Sequence, residues 1–273
     1  MKNFILLLFI FSIPAMHAQR KPKIKGNKNV IEVQESLPPF NAIELKDDLE
    51  IHLQNSAEEG YNIKADENLI DVLKFKVEDG TLVISSFYKI TSKKKLDITI
   101  NYNDISALTL YDGRVIANDV LTADELFVNT YESSNLELTA DAQLININME
   151  GNSSGDFNLN GTEVNFVLKD RIDVRVYTVS ELNNIKMYKN ASVKMEGTTT
   201  EFHANLFESS SLNGEKLEAD KIFLISQDSA SAKVNALSDF ELSSSGSSKT
   251  YLYGNPKVEI IEFLDTSELH KEQ

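Results

Sequence analysis

The feature that most constrains this chain is a repeat of about nineteen residues in its last two-thirds. Alternating apolar stretches begin at nine positions, namely Leu108, Leu126, Ile145, Val164, Ile185, Phe202, Ile222, Phe240 and Val258. These positions span 150 residues, so the eight intervals average about 19, with single steps from 17 to 21. A unit this short cannot enclose a core alone, so successive units must stack and pair their backbones. The repeat predicts an all-β fold, a right-handed parallel β-helix.

Most units contain a corner of small polar residues, such as Glu132-Ser133-Ser134-Asn135, Asn152-Ser153-Ser154-Gly155 and Ser245-Gly246-Ser247-Ser248. Stacked coils lie about 4.8 Å apart, so bulky side chains repeated at a tight bend would collide. One unit differs, because Arg171, Asp173 and Arg175 share a strand face opposite Val174 and Val176. We expect this charged set to lie outside as a salt-bridged patch, and a patch that contacts a ligand is the alternative.

The first residues have the layout of a secretory signal. Lys2 precedes an apolar run from 4 to 13, and Pro14 and Ala18 follow it, which predicts a signal peptide over 1–18 and a mature start at Gln19. The run is short for a bilayer span, which needs roughly twenty residues. A retained membrane anchor is the alternative interpretation. No later segment has eighteen consecutive apolar residues, so the mature chain is expected to contain no integral membrane segment.

The remaining chain is predicted to form one domain with short flanks. Residues 19–39 are basic and polar, and predict a linker with one edge strand at Val30-Ile31-Glu32-Val33. Residues 40–264 are predicted to be a single β-helix domain, in which 40–107 supply alternating strands and 108–264 supply regular rungs and a C-terminal cap. Asp79-Gly80 predicts a hairpin between two of the early strands. Residues 265–273 are predicted to be an acidic tail that resists end-to-end aggregation.

Composition excludes several classes of function. The formal charge of −15 and the pI near 4.7 argue against nucleic acid as a partner, because phosphates require a basic face. The chain has no cysteine, which removes disulfides, thiol nucleophiles and cysteine metal sites. His52, His203 and His270 are far apart and lack metal-ligand spacing, so neither a metal nor another cofactor is expected.

Several segments resemble one known family. They are Phe40-Asn41-Ala42-Ile43-Glu44-Leu45, the hairpin from Val77 to Ile84, Leu96-Asp97-Ile98-Thr99-Ile100, Leu108-Thr109-Leu110-Tyr111-Asp112-Gly113 and the Ser-rich rungs. With these segments the chain is similar to the auto-transporter adhesin head domains, also called head GIN domains. The resemblance implies a right-handed β-helix in the Gram-negative envelope or beyond it, with an adhesive role. It implies no catalytic residues.

Catalysis is the serious alternative, since parallel β-helices also serve as polysaccharide lyases and glycosidases. These enzymes need convergent carboxylates on one outer face. The candidates fall in or near corners of different rungs and are Asp112, Glu132, Asp170, Asp173 and Asp228. Acidic residues are also expected at corners because they accept backbone hydrogen bonds. A Ser-His-Asp triad has no supporting G-x-S-x-G turn.

The leading hypothesis is a non-catalytic envelope protein, either adhesin-like or structural, that presents a rigid, acidic, Ser/Thr/Asn/Tyr-rich face. Its expected partners are carbohydrate or protein of the cell envelope or exterior, and its location is the periplasm or the cell surface. Tyrosines that offer stacking platforms are Tyr111, Tyr131, Tyr177, Tyr188, Tyr251 and Tyr253. The sequence specifies neither the ligand nor the oligomeric state.

Overall fold

The computed structural model describes residues 21–273, and the predicted signal peptide therefore lies outside the described residues. The N-terminal part contains one short helix, α1 (Glu67–Ile70), and nine strands. These are β1 (Lys23–Lys25), β2 (Val30–Ser36), β3 (Ala42–Leu45), β4 (Glu50–Asn55), β5 (Gly60–Asp66), β6 (Leu73–Glu78), β7 (Thr81–Ser86), β8 (Lys89–Ser92) and β9 (Leu96–Tyr102).

The rest of the chain is a parallel β-solenoid of about nine turns with about 19 residues per turn, which confirms the predicted architecture. Its strands are β10 (Ala107–Leu110), β11 (Arg114–Thr130), β12 (Asn135–Met149), β13 (Ser154–Leu168), β14 (Asp173–Met187), β15 (Ser192–Leu206), β16 (Ser211–Ser226), β17 (Ser231–Ser244), β18 (Lys249–Tyr253), β19 (Lys257–Phe263) and β20 (Glu268–Lys271). From β10 to β18, each strand pairs in parallel with the next one along the chain.

Equivalent residues of successive coils stand above one another in columns. One inward column contains Leu126, Ile145, Val164, Asn183, Phe202, Ile222, Phe240 and Val258. The next contains Leu108, Val128, Ile147, Phe166, Ile185, Ala204, Leu224, Leu242 and Ile260. The nine strand starts expected from the sequence therefore mix residues from these two columns, since Leu108 and Ile185 belong to the second. The long step to Ile185 arose because a buried asparagine, Asn183, occupies the place where an apolar residue was expected.

The corners between successive long strands turn the chain through left-handed backbone. The residues with positive φ at this position are Gly113, Glu132, Gly151, Asp170, Lys189, Glu208, Asp228, Gly246 and Asp265. Two residues further on, a small side chain generally turns inward: Ser134 and Ser153 each donate a hydrogen bond to the carbonyl three residues earlier, at 2.7 and 2.9 Å. The corner of the charged unit places buried Ile172 at this position instead.

The N-terminal end of the solenoid is closed by antiparallel strands. β3 pairs in parallel with β10 and β4 with β11, and beyond them β7 pairs in parallel with β3 and β9 with β4. β6 and β5 then pair antiparallel to β7 and β9, and β2 pairs antiparallel to β5. The predicted hairpin joins β6 to β7, with positive φ at Asp79 and Gly80. The edge strand expected at Val30–Val33 lies within β2, which among the described residues pairs with β5 alone. Residues 21–39 also supply β1, which was not expected and which pairs with β8.

The C-terminal end differs from the expected cap and acidic tail. β19 pairs with β17 and β20 pairs with β18, so residues 268–271 extend the solenoid instead of leaving it as a tail. Every residue of β19 is exposed. The last coil thus continues the apolar columns but leaves them uncovered within the described residues. Within residues 21–273 the only helix is the four-residue α1, and none could cross a membrane.

Candidate functional site

A groove of about 680 Å³ crosses β11 to β15 on the side of the solenoid, and we call it the Tyr177 groove. It lies where the outer residues of four coils meet a bulge in β11. Between Ile116 and Val120, β11 carries three residues opposite the single Leu138 of β12. A hydrogen bond from β4 stabilises the bulge: the backbone N–H of Asn55 donates to the carboxylate of Asp119 at 2.8 Å. Ile116 and Ala117 form one end of the groove.

One column of charged side chains crosses the groove in the order Glu137, Asp156, Arg175 and Lys194. Arg175 binds Asp156 through two parallel hydrogen bonds, Nε to Oδ1 at 2.5 Å and Nη2 to Oδ2 at 2.8 Å. Glu137 pairs with Arg114. The predicted salt-bridged surface thus includes Arg175, whose partner belongs to the preceding coil. Arg171 lies in the corner beside a different, smaller cavity.

These ion pairs set the protonation of the groove. The hydrogen bond from Arg175 holds the pKa of Asp156 below its usual range. Lys194 lies 2.6 Å from Glu196, and its hydrogen bond lowers the pKa of that carboxyl as well. A glycosidase requires one carboxylic acid whose pKa is raised so that it can protonate the leaving group. Asp156 and Glu196 are shifted in the opposite direction.

A neighbouring column supplies an amide, an aromatic ring and a carboxylate. Asn158, Tyr177 and Glu196 stand above one another on β13, β14 and β15. Tyr177 is 51% exposed, so its ring is available for stacking and its hydroxyl for hydrogen bonding. The groove therefore combines an aromatic surface with amide and carboxylate oxygens and a guanidinium group on a rigid sheet. That combination can recognise a polar ligand that also has an apolar face.

The other tyrosines predicted as platforms lie elsewhere. Tyr111 stacks on Tyr131 with ring centroids 5.1 Å apart, beside the corners. Tyr188 stacks on Phe207 in the same way, also at 5.1 Å. Tyr251 stacks on His270 near the last coil, and Tyr253 ends β18. The structure therefore brings only Tyr177 of this set into the groove.

The corner carboxylates predicted as an alternative catalytic set partly align but do not converge. Glu132, Asp170 and Asp228 share the positive-φ corner position, with Gly151 and other residues between them. Asp170 pairs with Lys189. Asp228 accepts from the backbone N–H of Glu208 at 3.2 Å, which is the capping role expected of corner acids.

Asp173 begins β14 on another column, while Asp112 accepts from the N–H of Gly113 at 3.0 Å. The three histidines also lie apart: His52 is near Glu50, His203 packs on Phe223, and His270 stacks on Tyr251. Among residues 21–273 no cluster of three His, Asp or Glu side chains has the spacing of a metal site.

Sequence reasoning missed an asparagine ladder on a second face of the solenoid. The side-chain amide of Asn165 donates to Asn146 at 3.1 Å, and that of Asn184 donates to Asn165 at 2.8 Å. The sequence did contain a signal for this ladder, because Asn146, Asn165 and Asn184 recur at intervals of one coil. Such ladders bind adjacent coils together and give the face a regular array of amides.

Comparisons with known proteins agree with this architecture. A crystal structure from Parabacteroides merdae ATCC 43184, described as a "putative adhesin", matches with a TM-score of 0.68 and 15% identity, over 92% of this chain and 100% of that one. A "putative adhesin" from Parabacteroides distasonis ATCC 8503 matches with a TM-score of 0.68 and 17% identity, over 91% and 99%. A "putative lipid binding protein" from the same strain gives 0.64 and 19%, over 92% and 100%.

At these identities the structural matches establish the fold alone. No curated protein of described function matches the chain. The pattern of one protein family, described as "Putative auto-transporter adhesin, head GIN domain", matches residues 39–170 and 163–256. These two ranges together cover most of the chain, including the antiparallel strands β5 and β6 and the Tyr177 groove. The chain therefore belongs to the auto-transporter adhesin head GIN domain family.

Proposed function

We propose that this protein is an exported, non-catalytic binding module of the cell envelope that holds carbohydrate in the Tyr177 groove. The observation that carries the proposal is the exposed ring of Tyr177 between Asn158 and Glu196, in a groove of about 680 Å³. A sugar ring has an apolar face that stacks on an aromatic side chain and hydroxyls that pair with amides, carboxylates and guanidinium groups. The family description as an adhesin supports a binding role.

The rigidity of the groove favours tight binding of a ligand. Its polar side chains stand on paired strands and not on loops, and ion pairs fix several of them before any ligand arrives. Preorganised groups lose little conformational entropy on binding, which favours affinity. The lowered pKa values of Asp156 and Glu196 leave these two groups as hydrogen-bond acceptors and not as proton donors near neutral pH.

The test is binding of soluble glycans, measured by calorimetry on hits from a glycan array. We expect Tyr177→Ala to weaken binding by at least about tenfold, because a central aromatic anchor is removed. Tyr111→Ala is the matched control: it removes a tyrosine of similar exposure that lies outside the groove. Equal affinities for Tyr177→Ala and the unsubstituted protein would disprove the role of the groove.

The non-catalytic part of the proposal has its own test. Incubation with acidic and neutral polysaccharides, with and without calcium, is expected to release no shortened products. Turnover that Asp156→Asn or Glu196→Gln abolishes would establish the lyase or glycosidase alternative instead.

Export is tested separately by fractionation and by the mass of the secreted chain. We expect cleavage before Gln19, since the apolar run and Ala18 fit a signal peptide. A chain that retains residues 1–18 in the membrane fraction would support the anchor interpretation. Detection in the periplasm alone would contradict contact with other cells.

A further inference from the structure

One surface at the N-terminal end of the solenoid has a charge opposite to that of the whole chain. Residues 21–28 and 87–95 contain eight lysines and no acidic residue. These two segments contribute +8 to a chain with a formal charge of −15, so the rest of the chain carries −23. A concentrated positive charge on an acidic protein attracts an anionic partner to one place on the surface.

Backbone pairing brings the two lysine-rich segments together. β1 and β8 pair in parallel, with Lys23 opposite Lys89 and Ile24 opposite Ile90. The isoleucines are partly buried on one face of this pair, and the lysines are exposed on the other face. Like charges opposite one another on paired strands destabilise the pair. An anion bound at this face would relieve that repulsion.

A buried carboxylate fixes the loops on either side of the strand pair. Asp66 accepts backbone N–H groups from Lys28, Lys94 and Lys95, while the side chains of these three lysines are exposed. An ordered backbone therefore presents the ammonium groups. This order reduces the conformational entropy that is lost when a ligand binds.

Most of the lysine charges have no acidic partner. Lys21 pairs with Asp47, and Lys95 pairs with Asp97. Within residues 21–273, no carboxylate oxygen lies within 4.0 Å of the ammonium nitrogens of the other six, which are Lys23, Lys25, Lys28, Lys89, Lys93 and Lys94. These six charges are available to a partner.

Two aromatic side chains adjoin the lysines, since Phe87 is 61% exposed and Tyr88 is 38% exposed. We call the eight lysines with Phe87 and Tyr88 the basic ribbon. At a membrane surface, lysines attract anionic headgroups and aromatic rings lie at the level of those headgroups. A soluble polyanion satisfies the lysines but offers no apolar layer to the phenylalanine. The combination therefore favours a lipid bilayer.

We propose that the basic ribbon docks this protein on the surface of a bilayer that contains anionic phospholipids. The six unpaired ammonium groups bind headgroup phosphates, and Phe87 enters the boundary between headgroups and acyl chains. The acidic remainder of the protein does not prevent docking, because charges are screened over about 8 Å at physiological ionic strength. No residue of the basic ribbon lines the Tyr177 groove, so docking leaves the groove available to its own ligand.

The experiment is cosedimentation of the chain that begins at Gln19 with lipid vesicles. Vesicles of equal parts phosphatidylglycerol and phosphatidylcholine are expected to bind it at least about tenfold more tightly than vesicles of phosphatidylcholine alone. Lys23→Gln combined with Lys89→Gln is expected to weaken binding to the anionic vesicles at least about tenfold. Lys186→Gln combined with Lys257→Gln removes the same charge at two exposed lysines outside the basic ribbon and is expected to leave binding unchanged.

The melting temperature separates lost binding from lost folding. Lys23→Gln combined with Lys89→Gln removes two like charges that lie opposite one another, so it is expected not to lower the melting temperature. Glycan binding in the Tyr177 groove is expected to be unchanged in this variant. Membrane docking and carbohydrate binding therefore stand or fall separately.

Phe87→Ala distinguishes a membrane from a soluble polyanion. It is expected to weaken binding to the anionic vesicles at least about threefold and to leave retention on immobilised heparin unchanged, since heparin has no apolar layer. Phe127→Ala, at a residue 41% exposed on β11, is the matched control. Equal binding to anionic and neutral vesicles, binding to neither, or full binding after the Lys23 and Lys89 substitutions would overturn the proposal. Binding to heparin alone would also overturn it, and would assign the basic ribbon to a soluble polyanion.

Discussion

Gly197 illustrates how closely the backbones of adjacent coils approach at single residues. Its φ is +117°, and a Cβ built there would lie 2.0 Å from the carbonyl oxygen of Thr178 on the preceding coil. Gly214 lies on the next strand without positive φ, and its nearest atom is the carbonyl oxygen of Lys233, at 3.2 Å. Only the first position excludes a side chain on both conformational and steric grounds.

We therefore expect Gly197→Ala to lower the free energy of unfolding by at least about 2 kcal/mol, since strain and a backbone clash add. Gly214→Ala is the matched substitution and is expected to cost less than about 1 kcal/mol. Urea denaturation of the two variants measures the difference. Equal losses would mean that the coils shift freely to accommodate the methyl group.

Asp66 performs a different task at the residue scale, because its buried carboxylate joins two loops of the N-terminal part. It accepts backbone N–H groups from Lys94 at 3.0 Å, Lys95 at 3.2 Å and Lys28 at 3.3 Å. These hydrogen bonds, that from Lys94 foremost, lower the pKa of Asp66. A lowered pKa stabilises the fold above the carboxyl's unfolded pKa, and this stabilisation disappears as the pH falls through the folded value.

The pH dependence follows from that sign. Asp66→Asn is expected to lower the melting temperature at pH 7, and the gap from the unsubstituted protein is expected to narrow below about pH 4, where an unfolded aspartate gains its proton. Asp97→Asn, at an exposed side chain paired with Lys95, serves as the control. A gap that stays constant from pH 7 to acid would contradict the role of the Asp66 charge.

At the scale of elements, the inward column that contains Val164 and Phe202 is apolar except at Asn183. Asn183 is fully buried between Val164 and Phe202 of its column. Its amide donates to Ser180 at 2.7 Å, and Ser180 in turn donates to Thr199 at 3.0 Å. Within residues 21–273, the carbonyl oxygen of the Asn183 side chain has no hydrogen-bond partner. An unpaired buried acceptor costs stability.

We expect Asn183→Leu to raise stability by about 1 kcal/mol, because it replaces that acceptor with an apolar side chain of similar size. Val164→Asn, one coil earlier in the same column, is expected to lower stability by about 1 to 3 kcal/mol. Thermal denaturation of both variants provides the measurement. A loss of stability in Asn183→Leu would show that the network with Ser180 and Thr199 outweighs the unpaired acceptor.

The same column explains what the sequence could and could not predict. The period of nineteen was readable because apolar residues at one position repeat on every coil, and the Asp79-Gly80 hairpin because both residues tolerate positive φ. The exact register of the strands could not be read from the sequence, since Asn183 interrupts the apolar column and shifts the apparent strand start to Ile185. The Tyr177 groove was also hidden, because it depends on a bulge in β11 that no periodic pattern announces.

At the scale of the whole molecule, contacts run between neighbouring coils, so stability is expected to depend on position along the solenoid. Phe166 and Phe240 are both fully buried, but Phe166 has several coils on either side while Phe240 has only the open C-terminal coil beyond it. Truncation of a buried phenylalanine to alanine typically costs about 3 to 5 kcal/mol. Which coils become less stable depends on which of them can unfold separately from the rest.

We expect Phe166→Ala to increase hydrogen exchange throughout the regular coils, because the defect lies in the middle of the solenoid and weakens the contact between the coils on its two sides. Phe240→Ala is expected to raise exchange mainly in β17 to β20, where the last coils detach while the remainder keeps its partners. Hydrogen exchange followed by mass spectrometry resolves the two patterns. Uniform loss of protection in both variants would mean that the solenoid unfolds as a single unit. The last C-terminal coil would then be as stable as the coils in the middle.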